Sequence, residues 1–245
     1  MKIFFKYKHW IVIQGIYVLM GILTGIIFRV NENIVGGLGT GLHFVSNTNE
    51  LLIPLFSLIL ADLAFNIEYV EGTFLTHLLN GLDRKKWFLK RLITFYGFLI
   101  IQFLMAVLTI AIGVGIVTGQ FGLSGLVIPS DIGTSELILE TINSIATNII
   151  KMLVFTSLAI LISVYFPGKL LLGSVLSLGI LFISWKLLGV LYTKFSENKL
   201  VDFVSEMFFL DDPNKGILYG MIWISLLTFL SIRRIDKVTI SNQGT

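Results

Sequence analysis

The sequence predicts an all-α membrane protein of six transmembrane helices with both termini on the cytoplasmic side. Three observations carry this. The 245 residues are 55% hydrophobic and 13% charged, about half the charged share of an average soluble domain, and their mean hydropathy is +0.89. So little polar side chain cannot cover a soluble globule of this size. Six stretches are apolar and near the roughly 20 residues that cross about 30 Å of hydrocarbon. Finally, the basic residues between those stretches fall three to one on a single side.

The spans are expected at residues 10–28, 51–67, 92–118, 148–166, 170–193 and 216–232. The first carries no charge and follows Lys2, Lys6 and Lys8; with no small-residue cleavage site after it, it reads as a retained span. The second contains Pro54 and Asp62, the fourth opens near Lys151, and the fifth holds Lys186. With the termini inside, the inner segments hold 12 basic residues: Lys2, Lys6, Lys8, Arg84, Lys85, Lys86, Lys90, Arg91, Lys169, Arg233, Arg234 and Lys237. The outer segments hold 4, namely Arg29, Lys194, Lys199 and Lys215. The positive-inside rule therefore fixes the orientation.

The connections differ in kind. Residues 29–50, 119–147 and 194–215 are expected outside. Inside, Pro167, Gly168 and Lys169 alone join spans four and five, a tight turn that makes them an antiparallel hairpin. The one long inner connection is 68–91. With no low-complexity tract, internal repeat or soluble domain, residues 1–245 read as a single transmembrane domain.

Composition and motifs exclude several chemistries. The absence of cysteine removes disulfide scaffolds, cysteine-ligated zinc, iron–sulfur clusters and thiol catalysis. Gly168-Lys169 lacks both the preceding glycine and the following hydroxyl of a P-loop, so this chain is not expected to hydrolyse ATP that way. No H-E-x-x-H occurs. Gly122-Leu123-Ser124-Gly125 looks like the serine motif of rhomboid intramembrane proteases, but that chemistry needs a later histidine and none follows His77. No catalytic residue, cofactor or metal site is assigned to the chain. The small basic excess gives no reason to expect nucleic acid.

The informative connection reads EYVEGTFLTHLLNGLDRKKWFLKR over residues 68–91. Phe74, Leu75, Leu78, Leu79 and Leu82 recur at i, i+1, i+4, i+5 and i+8, giving a helix one apolar face. Asn80-Gly81 supplies a break, Asp83-Arg84-Lys85-Lys86 a charged turn, and Lys90 and Arg91 an anchor for the third span. Such a stretch is either an interfacial helix held to the bilayer or a short helix offered to a soluble partner.

This loop resembles the first cytoplasmic loop of ATP-binding-cassette (ABC) transporter permeases of the type-2 export class. Glu71-Gly72-Thr73 matches the opening of that loop, and Leu78 and Leu79 match its helix. Asp83-Arg84 stands where a Ser-Arg pair is common, and Lys90 where a lysine opens the third span. The usual proline before that pair is replaced by Asn80-Gly81-Leu82. Size and composition also resemble the small permeases of lantibiotic-immunity, bacitracin-resistance and peptide-toxin exporters. The resemblance implies an exporter permease in the cytoplasmic (inner) membrane, paired with a second, like or unlike, permease chain. A separate ATPase subunit would supply ATP and Mg. It implies that Glu71, Gly72, Thr73, Leu78, Leu79, Leu82, Asp83 and Arg84 form the contact with that ATPase. It also implies an interfacial elbow at residues 1–10 and capping outer helices within 194–215.

Two alternatives remain. A six-span substrate-binding subunit of an importer would want a polar pocket in the bilayer and short loops. A non-transport membrane protein, such as an intramembrane enzyme, would want the acid–base pairs that are missing here.

Ionisable residues in spans are functional suspects by default. Glu50, Lys151 and Lys186 lie toward the outer face, so Glu50 is expected to pair with Lys151 or Lys186, unless the lysines snorkel. Asp62 lies about 18 Å below Glu50, at 1.5 Å per residue. It is expected to face a protein interface or the transport path, or to cap backbone at the cytoplasmic end. Gly21-x-x-x-Gly25, Gly115-x-x-x-Gly119 and Gly173-x-x-x-Ser177 are expected to pack helices within the chain. Pro54 is expected to kink its helix or cap its first turn.

Overall fold

A computed structural model describes residues 7–30, 52–70, 83–119, 121, 134–169, 171–195, 199, 201, 203–204 and 213–235. Among them the chain is almost wholly helical, without strands, and most of it lies in six long helices. These are α1 (Tyr7–Val30), α2 (Leu52–Val70), α3 (Arg84–Thr118), α4 (Thr134–Tyr165), α5 (Leu172–Phe195) and α6 (Pro213–Ile235). Four stretches are long and apolar enough to cross a membrane: Arg84–Thr118, Ile142–Tyr165, Leu172–Leu191 and Lys215–Ile235. Shorter apolar stretches, Gly15–Ile27 and Ser57–Ile67, lie in α1 and α2.

Two boundaries differ from the sequence reading. Residues 84–91 are the first two turns of α3, not a charged turn ahead of it. The cause is Asp83, which accepts the Lys85 N–H at 2.8 Å through Oδ1 while its own carbonyl accepts the Trp87 N–H at 2.9 Å. That is N-capping, and aspartate is among the best residues for it. Likewise α4 begins at Thr134, so the second half of the expected outer stretch 119–147 is helical. Pro54 falls in the first turn of α2, where helix donors lack partners anyway, so it starts the helix rather than kinking it.

The chain divides into two compact units, Met1–Leu51 with Phe98–Ile145, and Leu52–Gly97 with Ala146–Thr245. In the first, α1 packs on the later part of α3 through glycine. A Cβ built on Gly113 would lie 2.9 Å from the Gly21 Cα and carbonyl carbon, and one on Gly21 would lie 2.6 Å from the Ile110 carbonyl oxygen. One turn on, Gly25 lies against Val117, so the two helices run parallel. Arg29 Nη1 then donates to the Val117 carbonyl at 3.1 Å, satisfying one of the last carbonyls of α3. Gly21-x-x-x-Gly25 is thus an intramolecular seam, as expected. Its partner is Gly113 rather than the Gly115/Gly119 pair. Gly115 lies beneath the Phe121 ring, and Gly119 ends α3 at φ +75°.

In the second unit, α2 and the start of α3 share an aromatic core. The Phe65 ring lies 5.5 Å from Phe88 and 6.0 Å from Phe95, and Leu58, Phe65 and Phe88 are fully buried. Arg91 is not the surface anchor its position implied. It is buried, donates to the Ala64 carbonyl, and lies 5.6 Å over Phe65 and 5.7 Å over Trp87. Phe88, Arg91, Leu92 and Phe95 occupy one helix face, so the guanidinium is carried inward with the rings. Lys90, on the other face, is exposed.

α4 and α5 form the expected hairpin. Gly168 takes φ +81°, which a glycine adopts without strain, and Leu171 takes φ +65°. Arg234 of α6 lies 4.9 Å over the Tyr165 ring at the end of α4. The ends of α2, α4 and α6 and the beginnings of α3 and α5 therefore gather at one end of this unit. Within this unit consecutive helices run in alternating directions. Near Phe203, in the expected outer stretch, residues 199, 201, 203 and 204 are helical, and the Phe203 ring lies edge-on to Tyr219 at 5.9 Å.

Candidate functional site

At the end of the second unit where these helices meet, Asp62 and Asn66, one turn apart on α2, are both fully buried. Burying a carboxylate among apolar helices is tolerated only when donors surround it. Oδ1 of Asp62 accepts the Asn66 amide at 2.5 Å, and the Ser163 hydroxyl of α4 lies 2.7 Å away. Oδ2 accepts the Ser174 backbone N–H at 3.3 Å and the Ser174 hydroxyl at 3.2 Å. Ser174 stands in the first turn of α5, so Asp62 caps that helix from a neighbouring one. A carboxylate there answers both the orphan donors and the positive end of the helix dipole.

Asn66 holds the turn before it. Its Oδ1 accepts the Gly168 N–H at 3.1 Å, and its amide reaches the Lys169 carbonyl at 3.4 Å. The two serine hydroxyls each have a second acceptor: Ala159 O lies 2.8 Å from Ser163 Oγ, and Leu58 O lies 3.2 Å from Ser174 Oγ. Gly173 closes the cluster. A Cβ there would lie 2.5 Å from Ser163 Oγ and 2.6 Å from Asp62 Oδ1, so the α5 backbone sits directly on the carboxylate. Of the three roles open to Asp62, the described geometry is that of the helix cap, made with neutral donors.

The other expected site residues fare differently. Glu50, Glu71, Gly72, Thr73, Leu78, Leu79 and Leu82 lie outside the described residues. The two ends that flank 71–82 are described. Tyr69 is buried at the end of α2, and burial raises its phenol pKa above the usual tyrosine range, with the Arg84 guanidinium opposing. Asp83 and Arg84 open α3, where Asp83 is the cap described above. Lys151 is half-buried in α4. Lys186 is exposed, its ammonium 5.8 Å over the Phe182 ring of its own helix. Asp62 is the sequence-predicted site residue for which the described residues give a full set of hydrogen-bond partners. Asn66, Ser163 and Ser174 join the site without having been singled out. The signal for Asn66 was its spacing: two polar side chains four apart in an otherwise apolar stretch share a face.

Helices of this length and apolarity define a multi-pass helical membrane protein. No protein-family model, curated protein or solved structure matches the chain.

Proposed function

We propose that this chain is the membrane-spanning permease subunit of an ABC exporter of the type-2 class. In this reading six spans cross the cytoplasmic membrane with both termini inside. A separate ATPase, carrying ATP and Mg, docks on residues 71–84. A second permease chain completes the path, and the cargo is an amphipathic or hydrophobic molecule such as an antimicrobial or toxin peptide.

The observation that carries the reading is the chemistry of one end of the second unit. Arg84, Lys85, Lys86, Lys90, Arg91, Lys169, Arg233 and Arg234 all belong to the helix ends and turn that gather there. Such a concentration supports a cytoplasmic placement for that end. Segment 71–82 leaves α2 and re-enters α3 at the same end, between a buried Tyr69 and Asp83, the cap of α3. A partner pushing on that segment would meet firmly held helix ends on both sides. The apolar spacing of Leu78, Leu79 and Leu82 supplies a face to bury, each side chain contributing about 1.5–3 kcal/mol if fully enclosed.

The test is Leu78→Asp combined with Leu79→Asp. The double variant is expected to release the ATPase in a pull-down and to abolish export, while the membrane protein keeps its melting temperature. A helix that serves only to hold the bilayer would give the opposite result, with lowered thermal stability and the ATPase retained.

A further inference from the structure

We propose that the ends of α4 and α6 form a binding site for an anionic phospholipid. Arg234, backed by the Tyr165 ring, and Arg233 hold the headgroup phosphate, and an acyl chain lies along α6. The site uses none of the side chains of the Asp62 cluster and does not depend on the transport reading.

Three observations carry it. The first is a guanidinium with a ring and no acceptor. Arg234 is half-buried, its guanidinium lies 4.9 Å over the Tyr165 ring, and its Nε is buried without a hydrogen-bond partner. Among the described residues no carbonyl or carboxylate meets it. A ring face offsets part of a cation's charge. It leaves in-plane N–H donors to be satisfied, and those match a phosphate in fork geometry. Arg91, at the same end, shows the contrast: it also lies over rings, but it donates to the Ala64 carbonyl. The second observation is depth. α6 is 23 residues long, with Arg233 and Arg234 in its last turn. At 1.5 Å per residue it runs about 34 Å, enough to cross the hydrocarbon and put both arginines at headgroup level. Tyr165, exposed at the end of α4, stands where aromatic side chains meet the bilayer interface. Third, the charge ends an apolar stripe. Ile222, Leu226, Phe229 and Arg233 are all exposed and recur at spacings of four, three and four, so they share one face of α6. A lipid on that face carries its phosphate to Arg233 and, one residue on, to Arg234. Basic sites between helix ends hold anionic headgroups in membrane proteins. An acidic protein surface would match the charges but not the stripe; an anionic lipid matches both.

The test is thermal unfolding of the full chain in micelles of an uncharged detergent. The micelles are titrated with phosphatidylglycerol, with phosphatidylcholine of the same acyl chains, or with glycerol 3-phosphate. A ligand of the folded state raises the melting temperature, and the concentration dependence gives its affinity. Phosphatidylglycerol is expected to raise it, and the other two to leave it unmoved. Arg234→Gln is expected to weaken phosphatidylglycerol binding about tenfold, the loss of one charge-assisted bond. Arg234→Lys keeps the charge without the fork and is expected to weaken it less. Arg233→Gln, at an exposed position where the fold is not at stake, is expected to weaken it by a factor similar to Arg234→Gln. Lys86→Gln, at an exposed position of α3 at the same end, is expected to change nothing. Equal stabilisation by phosphatidylcholine overturns the anionic site, and equal stabilisation by glycerol 3-phosphate overturns the lipid as its occupant. Losses as large in Lys86→Gln as in the arginine variants overturn a local site in favour of a diffuse surface charge. Phosphatidylglycerol binding untouched in both glutamine variants of the arginines overturns the assignment of the site. No stabilisation by phosphatidylglycerol overturns the proposal outright and leaves an acidic protein surface to meet these charges.

Discussion

The two units join their helices by opposite means. Between α1 and α3 the close approach is made by removing side chains: Gly21 and Gly113 let the two backbones touch. Between α2 and α5 the joint is made by adding polar side chains, Asp62 and Asn66, to a buried face. Small residues suit helix association in lipid because apolar side chains gain little by leaving one apolar phase for another, so close packing must do the work. Buried hydrogen bonds suit it for a different reason, since a polar group in hydrocarbon without a partner is costly. The first joint fixes distance chiefly by close packing. The second fixes direction, register and the starting point of a helix.

The largest effect is expected at the glycine joint. Gly113→Leu places atoms where the Gly21 backbone already lies, and no flexible side chain is available to give way. We expect a loss of more than about 3 kcal/mol, at or beyond the upper end of overpacking penalties, or no folded protein. Gly113→Ala should lose about 1–3 kcal/mol. Chemical unfolding in mild detergent would read both. A neutral Gly113→Ala would mean that the α1–α3 contact is looser than a backbone seam and would erase the contrast with the second unit.

The polar joint is expected to yield less, and to discriminate by chemistry rather than size. Asp62→Leu leaves the Ser174 N–H and the Asn66 amide without their acceptor. Buried groups left unpaired cost about 1–3 kcal/mol each, while hydrogen bonds between membrane helices average only about 0.6 kcal/mol. A net loss of about 2–4 kcal/mol follows. Asp62→Asn keeps one acceptor and the shape, and should lose about 1 kcal/mol. Melting temperatures of the two variants in the same detergent provide the measurement. Equal losses would show that the site responds to volume alone, and the polar reading of the joint would fail.

How much of each joint the sequence revealed follows from the same difference. Gly21-x-x-x-Gly25 was visible as a small-residue seam, but Gly113 was not paired with it. A four-residue spacing says that a helix has a smooth face and nothing about what lies opposite. Gly115 and Gly119 showed the same spacing and serve the end of α3 instead. Asp62 was conspicuous because a short charged side chain in an apolar stretch cannot reach water. Ser163 and Ser174 were not. Hydroxyls in membrane helices commonly bond their own backbone four residues back, as Thr24, Thr109 and Thr156 do, so a serine that also crosses to another helix looks no different. Arg91 misled because its place beside Lys90 at a span edge reads as an anchor. Its company on one helix face with Phe88 and Phe95 was the better signal. The amphipathic pattern over 71–82 was the clearest functional signal in the sequence, yet the docking role proposed for it concerns a partner, and a partner's surface is not encoded in this chain.

The smallest effect is expected at Arg29, and it tests whether the glycine joint needs anything besides close packing. The Arg29 guanidinium donates to the Val117 carbonyl, beside the point where Gly25 meets the same residue. It serves a helix end that would otherwise leave that carbonyl to water or lipid headgroups. A cation at a helix C-terminus is also favoured by the dipole, by about 0.3–1 kcal/mol when exposed. Arg29 is exposed, so most of that is screened, and the carbonyl can find water in its place. Arg29→Ala should therefore lower the melting temperature by no more than about 2–4 °C, the shift that about 1 kcal/mol produces in a chain of this length. Raising the salt concentration should shrink the difference further. A loss as large as that of Gly113→Ala would mean that the seam depends on its polar clip as much as on its glycines, and the two units would then join their helices by the same means after all.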